Sequence, residues 1–427
     1  MSLMTSLFTG ISGINANGIA LSVIGNNIAN SNTVGYKSSR TIFGEVLSQT
    51  LGGSSSMQIG RGVNVQAVEA LFTQGSFETT SNPLDMAIEG DGFFILRDPN
   101  GAIFYSRAGQ FHVDKDGNIV NPEGLQLQGY LISQSGQLGT INVASINSPP
   151  NATTRVDISA NLDSREVILP AFDVNNPDNT SNFSTSLTVY DSLGNSHLVT
   201  VYFRKAVEAP TGNTWEWYAV VPGTDTVSGV AEVQAQGTLD FDNTGALVQE
   251  SPVTYPLGGF NFSGGAAPNQ AIAFDFGQSI TEGGSGVDGT TQFGAPSSVL
   301  FQNQDGYTAG SLYSLVVGND GIITGVFTNG QTRDIAQVAL ARFIAPTALA
   351  KVGRNLYSES AASGQPIIGT PGTSGRGSLI SNSLEMSNVD LADEFVKMIA
   401  AQRGFQANAR VVTATDDLLT ELMNIRR

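Results

Sequence analysis

The residues with the best claim to chemistry are few, and each has a plainer reading beside it. Gly284-Ser285-Gly286-Val287-Asp288-Gly289 has the letters of a dinucleotide-binding turn, in which backbone N–H groups close on a pyrophosphate. That chemistry needs a strand before the glycines and a helix after them. The segment lies instead in a Gly-rich stretch with no clear β-α unit, so no cofactor is expected. Asp114-Lys115-Asp116-Gly117-Asn118 opens like a calcium loop, but Leu125 stands where a bidentate Glu is required, which predicts a hairpin turn. His112 and His197 fall in different β regions and have no cysteine to join them, so no metal site is expected. No Gly-x-Ser-x-Gly elbow occurs, and the many Asp residues sit mostly in turns, where turn geometry explains them. Trp215 and Trp217 alternate on one predicted strand with Tyr218 beside them. Exposed, such a strip stacks on sugars; buried, it is core, and burial is the expectation. The candidate catalytic set is therefore empty.

Composition bounds the elements that must position whatever function remains. The 427 residues allow two or three domains, and 40% apolar content supports packed cores. With 49 glycines and only 13% charged residues, the chain reads as a turn-rich β protein. A net charge of -17 argues against nucleic acid, because phosphate neutralisation needs clustered Lys and Arg. The absence of cysteine removes disulfides and thiol chemistry.

From Leu84 onward short apolar runs alternate with turn chemistry, as at Glu89-Gly90-Asp91-Gly92, Asp98-Pro99-Asn100-Gly101 and Asp116-Gly117-Asn118, the pattern of a β meander. Pro149-Pro150 breaks the rhythm. A second β region follows, with a hairpin from Leu187–Tyr190 through Asp191-Ser192-Leu193-Gly194-Asn195 to His197–Arg204, and a strand at Trp215–Val221. A third, after Gly289, pairs Tyr313–Val317 with Ile322–Phe327 and has the texture of the first. The expected fold is mainly β with α-helical termini and nested discontinuous domains. These are a terminal helical coiled-coil pair from 1–72 with 376–427, an inner β domain from 73–146 with 290–375, and an inserted outer β domain at 147–289. A linear array of domains is the alternative.

The two ends carry the strongest pattern. No Asp, Glu, Lys or Arg precedes Lys37, yet Met4, Leu7, Ile11, Ile14, Gly18, Leu21, Gly25 and Ile28 recur at steps of three and four. Phe395, Met398, Gln402, Phe405, Ala409, Val412, Asp416, Leu419 and Met423 repeat the spacing at the other terminus. Five glycines and six asparagines in the first 36 residues make that helix weak on its own, so something must pack around it. One reading closes an ordinary domain with the pair. The other buries the pair among copies of itself, because a helix packed on a monomer normally keeps a charged face toward water. The interleaved Asn, Ser and Thr argue against a membrane span, and no basic-then-apolar secretory signal is expected. Ser387 with Asp390 is expected to cap a C-terminal helix of about 38 residues. Asn30, Asn32 and Gly35 are expected in left-handed conformations where the first helix stops.

Leu21-Ser22-Val23-Ile24-Gly25-Asn26-Asn27-Ile28-Ala29-Asn30-Ser31-Asn32-Thr33-Val34-Gly35-Tyr36-Lys37 resembles the N-terminal signature of the bacterial flagellar rod and hook family. Leu384-Glu385-Met386-Ser387-Asn388-Val389-Asp390-Leu391-Ala392, with Met398–Arg403 and Gln406-Ala407-Asn408, resembles its other signature. Glu89–Phe94 and Ala160–Asp163 add similarity. The resemblance implies a structural subunit, not an enzyme, that polymerises with itself into the hook, with the length favouring hook over distal rod. It also implies as partners the distal rod protein, the hook cap protein, the hook–filament junction protein and the export apparatus. The implied location is the extracellular flagellum, reached without a cleaved signal. Leu7, Ile11, Ile14, Leu21, Asn26, Asn27, Ile28, Asn30, Phe395, Met398, Gln402, Phe405, Val412, Leu419 and Met423 are the expected assembly interface. A surface adhesin that oligomerises through its termini is the contrasting class.

Overall fold

The computed structural model describes residues 3–46, 49–50, 58–132 and 136–425. The chain is mainly β with helices at both ends, Leu3–Ala29 and Leu391–Ile425. It divides into two compact units, one of Met1–Ile146, Ser314–Val326 and Thr332–Arg427, the other of Asn147–Tyr313 and Phe327–Gln331. Residues 290–313, assigned above to the inner β region, fall in the second unit. The reason is a pairing that composition does not show: Ser298–Gln304 runs antiparallel along Arg155–Asn161.

In the first unit, Ser39–Glu45 pairs antiparallel with Val63–Ala70 as a ribbon next to the N-terminal helix, with a bulge at Ile42/Phe43. A sheet then runs through Thr332–Val338, Gln126–Leu131, Phe93–Arg97, Ile103–Ser106, Leu356–Ser358 and Ala350–Gly353, each antiparallel to the next. Phe93, Tyr105, Phe343 and Tyr357 pack edge to face on it, an arrangement that favours the ring quadrupoles. The C-terminal segment re-enters this unit before its helix begins: Ser378–Ser381 pairs with Met86–Glu89, and Ser383–Glu385 with Phe77–Thr79.

The second unit is built on a meander of Phe183–Tyr190, Ser196–Ala209, Gly212–Val221, Glu232–Asp242 and Leu247–Glu250. The expected hairpin is present, with Tyr190 opposite Ser196. Its turn is held by the Asp191 carboxylate, which accepts from the N–H groups of Leu193 and Asn195, while Gly194 supplies the left-handed φ of +84°. Alternate residues of each strand point inward, so Val199, Val201, Phe203, Trp215, Trp217 and Ala219 form one core with Phe260, Phe274 and Phe276. Trp215 and Trp217 are 0% and 1% exposed, so they present no strip on which a sugar could stack.

Asp114 Oδ1 accepts from the N–H groups of Asp116 and Asn118, and Gly117 has φ +80°, as a hairpin turn requires. His112 is exposed, whereas His197 is buried against Asp191 and stacked on Phe262. Ser279 opens a short 3-10 helix at Ile280–Glu282, and the glycines from 283 onward form turns rather than a strand-to-helix junction.

Candidate assembly interface

The two terminal helices pack antiparallel, and the closeness of the approach is set by small residues. A Cβ on Gly10 would lie 2.9 Å from Val412 Cγ2, one on Gly13 would lie 2.6 Å from the Asn408 amide, and one on Gly404 would lie 2.9 Å from Asn17 Oδ1. Ala20, Ile24 and Ala401 continue the contact, flanked by half-buried Leu21, Ile28 and Met398. The buried face of the first helix is thus Gly10, Gly13, Ala16, Ala20, Ile24 and Asn27, one residue out of phase with the seam read from the large apolar positions. Gly18 and Gly25, placed in that seam, have open space where a Cβ would stand. The physical reason is that backbones approach most closely where side chains are smallest, so glycine and alanine took the contact and the larger residues were displaced to its edges.

The C-terminal helix departs from its expected seam at particular positions. Among the described residues, Glu394, Ala401 and Thr415 are its buried ones, while Phe395, Gln402, Phe405 and Met423, all in the expected seam, are exposed. Met398, Val412 and Leu419 lie at the edge of the contact, half-buried, as do Leu7 and Ile14 on the first helix. Ile11 is exposed. What results is a helix pair whose outer faces remain apolar: Phe8, Val396, Leu418 and Met423 are each more than half exposed.

Where the pair meets the β structure, the two motif-bearing segments close on each other through buried polar groups. Lys37 Nζ donates to Glu385 Oε1 at 2.5 Å and to the Thr73 carbonyl at 2.7 Å, with both charged side chains fully excluded from solvent. Arg107 reaches the other carboxylate oxygen at 3.4 Å and caps the Gly90 carbonyl at 2.7 Å. Gln74 Nε2 and the Gly75 N–H fill the remaining positions on Oε1. Burial pulls the Lys37 ammonium below its ordinary value and Glu385 partly restores it; Arg107 is lowered for the same first reason.

Asn27, 1% exposed, makes the helix-side half of this clasp. Its amide donates to the Ser39 carbonyl and to Glu394 Oε2, while its oxygen accepts from the Ser39 N–H and the Tyr36 hydroxyl. Asn388 bridges both chain ends, accepting from the Ser38 N–H and donating to the Leu71 carbonyl and Thr73 Oγ1. Lys351 Nζ donates to Ser39 Oγ, and Asn355 to the Val34 carbonyl, so the sheet also grips the segment. Asn26 and Asn30 sit outside: Asn26 is exposed, and Asn30 folds back to donate to the Asn26 carbonyl.

The helix ends differ in detail from expectation. Asp390, not Ser387, caps the C-terminal helix, accepting from the N–H groups of Ala392 and Asp393. Gly35 takes the left-handed φ, at +68°, and an added Cβ there would also lie 2.5 Å from the Ala108 nitrogen; Asn30 and Asn32 do not take that conformation. The N-terminal helix contains, within Met4–Ala29, an 18-residue stretch of mean hydropathy 1.4, long and apolar enough to cross a membrane by length and composition only, a test that a helix packed in a protein core also passes.

The segments that build this clasp carry family matches of their own. Residues 7–37 match a family described as Flagella basal body rod protein, and 380–425 match Flagellar basal body rod FlgEFG protein C-terminal. Residues 87–161 match Flagellar hook protein FlgE/F/G D1 domain, and 161–307 match Flagellar basal body protein FlaE D2 domain. Flagellar hook protein FlgE of Borreliella burgdorferi is 35% identical over 460 residues, spanning 99% of this chain and 100% of that protein. The chain belongs to the flagellar hook protein family. The FlgE of Treponema pallidum is 36% identical over 468 residues, covering all of both chains. That of Salmonella typhimurium is 34% identical over 425 residues, covering 97% of this chain and 98% of its own. The match to hook proteins along the whole length, D2 domain included, makes this hook-family chain a structural subunit of the flagellar hook in preference to a distal rod protein.

Tyr36, Lys37, Arg107, Glu385, Asn388 and Glu394 are the site residues that the spacing argument missed. Lys37 was visible in the sequence as the first charge after 36 uncharged residues, a position that does not by itself signal burial.

Proposed function

We propose that this hook-family chain polymerises with copies of itself into a flexible helical tube that passes motor torque to the filament, with the terminal helix pair as the assembling part. The observation that carries the reading is the pair's outer surface. Phe8, Ile11, Phe395, Val396 and Ile399 remain exposed after the two helices have packed on each other, and apolar faces of that extent on a chain of net charge -17 call for burial by another chain. The interface set proposed from the sequence divides between contacts inside one copy and surface left for the next. Asn27, Met398, Val412 and Leu419 serve the fold of one copy, while Ile11, Phe395, Gln402, Phe405 and Met423 stand free for the next. A contact between two different patches propagates as a helix rather than closing into a dimer.

In the same reading the chain meets the distal rod protein, the hook cap protein, the hook–filament junction protein and the export apparatus. It leaves the cell unfolded without losing its N-terminus, which the low helix propensity of an Asn- and Gly-bearing segment supports. The test is sedimentation and negative-stain electron microscopy of the full chain under salting-out conditions, beside a chain carrying Ile11→Asp and Phe395→Asp. Tubes from the first and folded monomers from the second are expected. A monomeric unsubstituted chain, or tubes from both, would overturn the reading.

A further inference from the structure

The last helix carries two kinds of surface charge. Near its start Lys397 is paired with Asp393 and Glu394, at 2.7 and 2.9 Å. Farther along, Arg403, Arg410, Asp417 and Glu421 are all exposed, and the side chain of none has an ion pair or hydrogen bond among the described residues. Spacing within the helix supplies no partner either: the neighbours three and four positions from each hold no opposite charge, and Asp417 and Glu421, four apart, repel each other. The first helix has no charge to offer.

Arg403, Ala407, Arg410, Ala414, Asp417 and Glu421 follow steps of four and three, so they form one stripe along the helix. The stripe lies on the side away from Ala401, Asn408 and Val412, which meet the first helix, and all six residues are exposed. Its order is two cations and then two anions, with an alanine after each cation. Reversed, that order is its own complement: Arg403 with Glu421 is centred on Val412, and Arg410 with Asp417 between Thr413 and Ala414, nearly the same place. A second copy laid antiparallel brings every arginine of the stripe to a carboxylate. A parallel copy in register sets arginine on arginine.

We infer that this stripe is a two-fold docking surface for a second copy of the chain, the two last helices lying antiparallel with Arg403 on Glu421 and Arg410 on Asp417 across the contact. Ala407 and Ala414 let the helix axes come close, and exposed Val411 and Leu418 flank the stripe and lose water when it closes. Both copies use the same face, so the contact closes at two and does not propagate. It is distinct from the tube contact proposed above and stands without it. Salt separates the two: exposed ion pairs weaken as ionic strength rises, while salting-out strengthens apolar burial. Low ionic strength holds the closed pair, and the conditions that favour tubes release it.

Sedimentation of the full chain at low and at high sodium chloride tests the contact. The parent is expected to run as a dimer at low salt and as a monomer at high salt. Arg403→Glu with Arg410→Glu in one chain, and Asp417→Arg with Glu421→Arg in another, are each expected to self-associate about tenfold or more weakly. An equal mixture of the two is expected to restore the dimer, because every facing pair is then opposite in charge. Helicity and thermal melting establish that each variant folds. The chain has no cysteine of its own, so single cysteines report the register. Ala414→Cys, beside the two-fold axis, is expected to oxidise to a covalent dimer. Ala407→Cys stands about 17 Å from its counterpart, beyond the roughly 7 Å that a disulfide bridges between Cα atoms, and is expected to stay unlinked. A parent monomeric at low salt, variants that dimerise as tightly as the parent, a mixture that stays monomeric, or equal linkage at both cysteines would overturn the two-fold contact. Tubes under salting-out conditions are read separately, and their presence or absence bears on polymerisation alone.

Discussion

The second unit and the terminal helix pair hold together by opposite means. In the second unit, Trp215, Trp217, Phe203, Phe260 and Phe276 are all out of water, and alternate burial along each strand supplies a core that needs nothing further. The helix pair buries chiefly glycine, alanine and a polar clasp, and leaves its large apolar residues outside. A core of large apolar residues stabilises what it encloses. A seam of small residues with a charged clasp fixes geometry while leaving the main hydrophobic gain for a later contact. The first arrangement suits a body that must survive alone, the second a part that is finished only by neighbours.

Glu385→Ala tests the clasp most severely. It leaves Lys37 and Arg107 buried without their shared carboxylate, and a loss of about 3–5 kcal/mol is expected for the first unit, read in urea unfolding followed by the protection of the terminal segments from protease. A loss under 1 kcal/mol would mean that water reaches the cations and that the clasp does not distinguish the two regions. Trp217→Ala in the second unit is expected to cost about 3–5 kcal/mol through the cavity it opens, while the helix pair stays protease-resistant; joint loss of both would show that the regions unfold as one. Asn27→Ala removes the acceptor of the buried Ser39 N–H and is expected to cost about 1–3 kcal/mol, seen as a lower melting temperature with unchanged tryptophan fluorescence.

Gly25→Ala sharpens the comparison from the other side. Nothing lies near the added methyl within one copy, so the helix should gain about 0.5–1 kcal/mol from propensity. If assembly weakens at the same time, that face belongs to a contact between copies. A pH dependence is expected in the second unit. Burial, with Asp275 and Glu282 nearby and Arg155 opposing them, raises the Glu250 carboxyl to about 7. Its folded value exceeds its unfolded one, so the stability it contributes is present below about pH 4.5 and is lost as pH rises through 7. Glu250→Gln should therefore melt higher than the parent at pH 8 and lose that advantage at pH 4.5.

Period and turn chemistry made much of this legible. The hairpin across Asp191–Asn195, the strand at Trp215–Val221, the turn at Asp114–Asn118 and both terminal helices follow from local pattern, because each is decided by residues close in sequence. The phase of the helix seam was not legible. Spacing weighs Leu7, Ile11 and Phe395 as core formers, and only the three-dimensional approach of two backbones reveals that Gly10, Gly13 and Gly404 are worth more there. The clasp was half legible: the signature segments contain Lys37, Glu385 and Asn388, but their pairing spans the whole chain and no local rule selects it. The placement of Ser298–Gln304 beside Arg155–Asn161 was hidden for the same reason, since its partner lies more than a hundred residues earlier.

The ion pair between Lys37 and Glu385 joins residues 348 positions apart. Synthesis and any threading from the N-terminus deliver the cation long before the carboxylate that neutralises it. Until residue 385 arrives, burying Lys37 carries the full penalty of an uncompensated charge, so the leading segment stays open in water. A chain cut short before residue 385 keeps that penalty for burying Lys37. The pair therefore forms only in a chain that has reached residue 385.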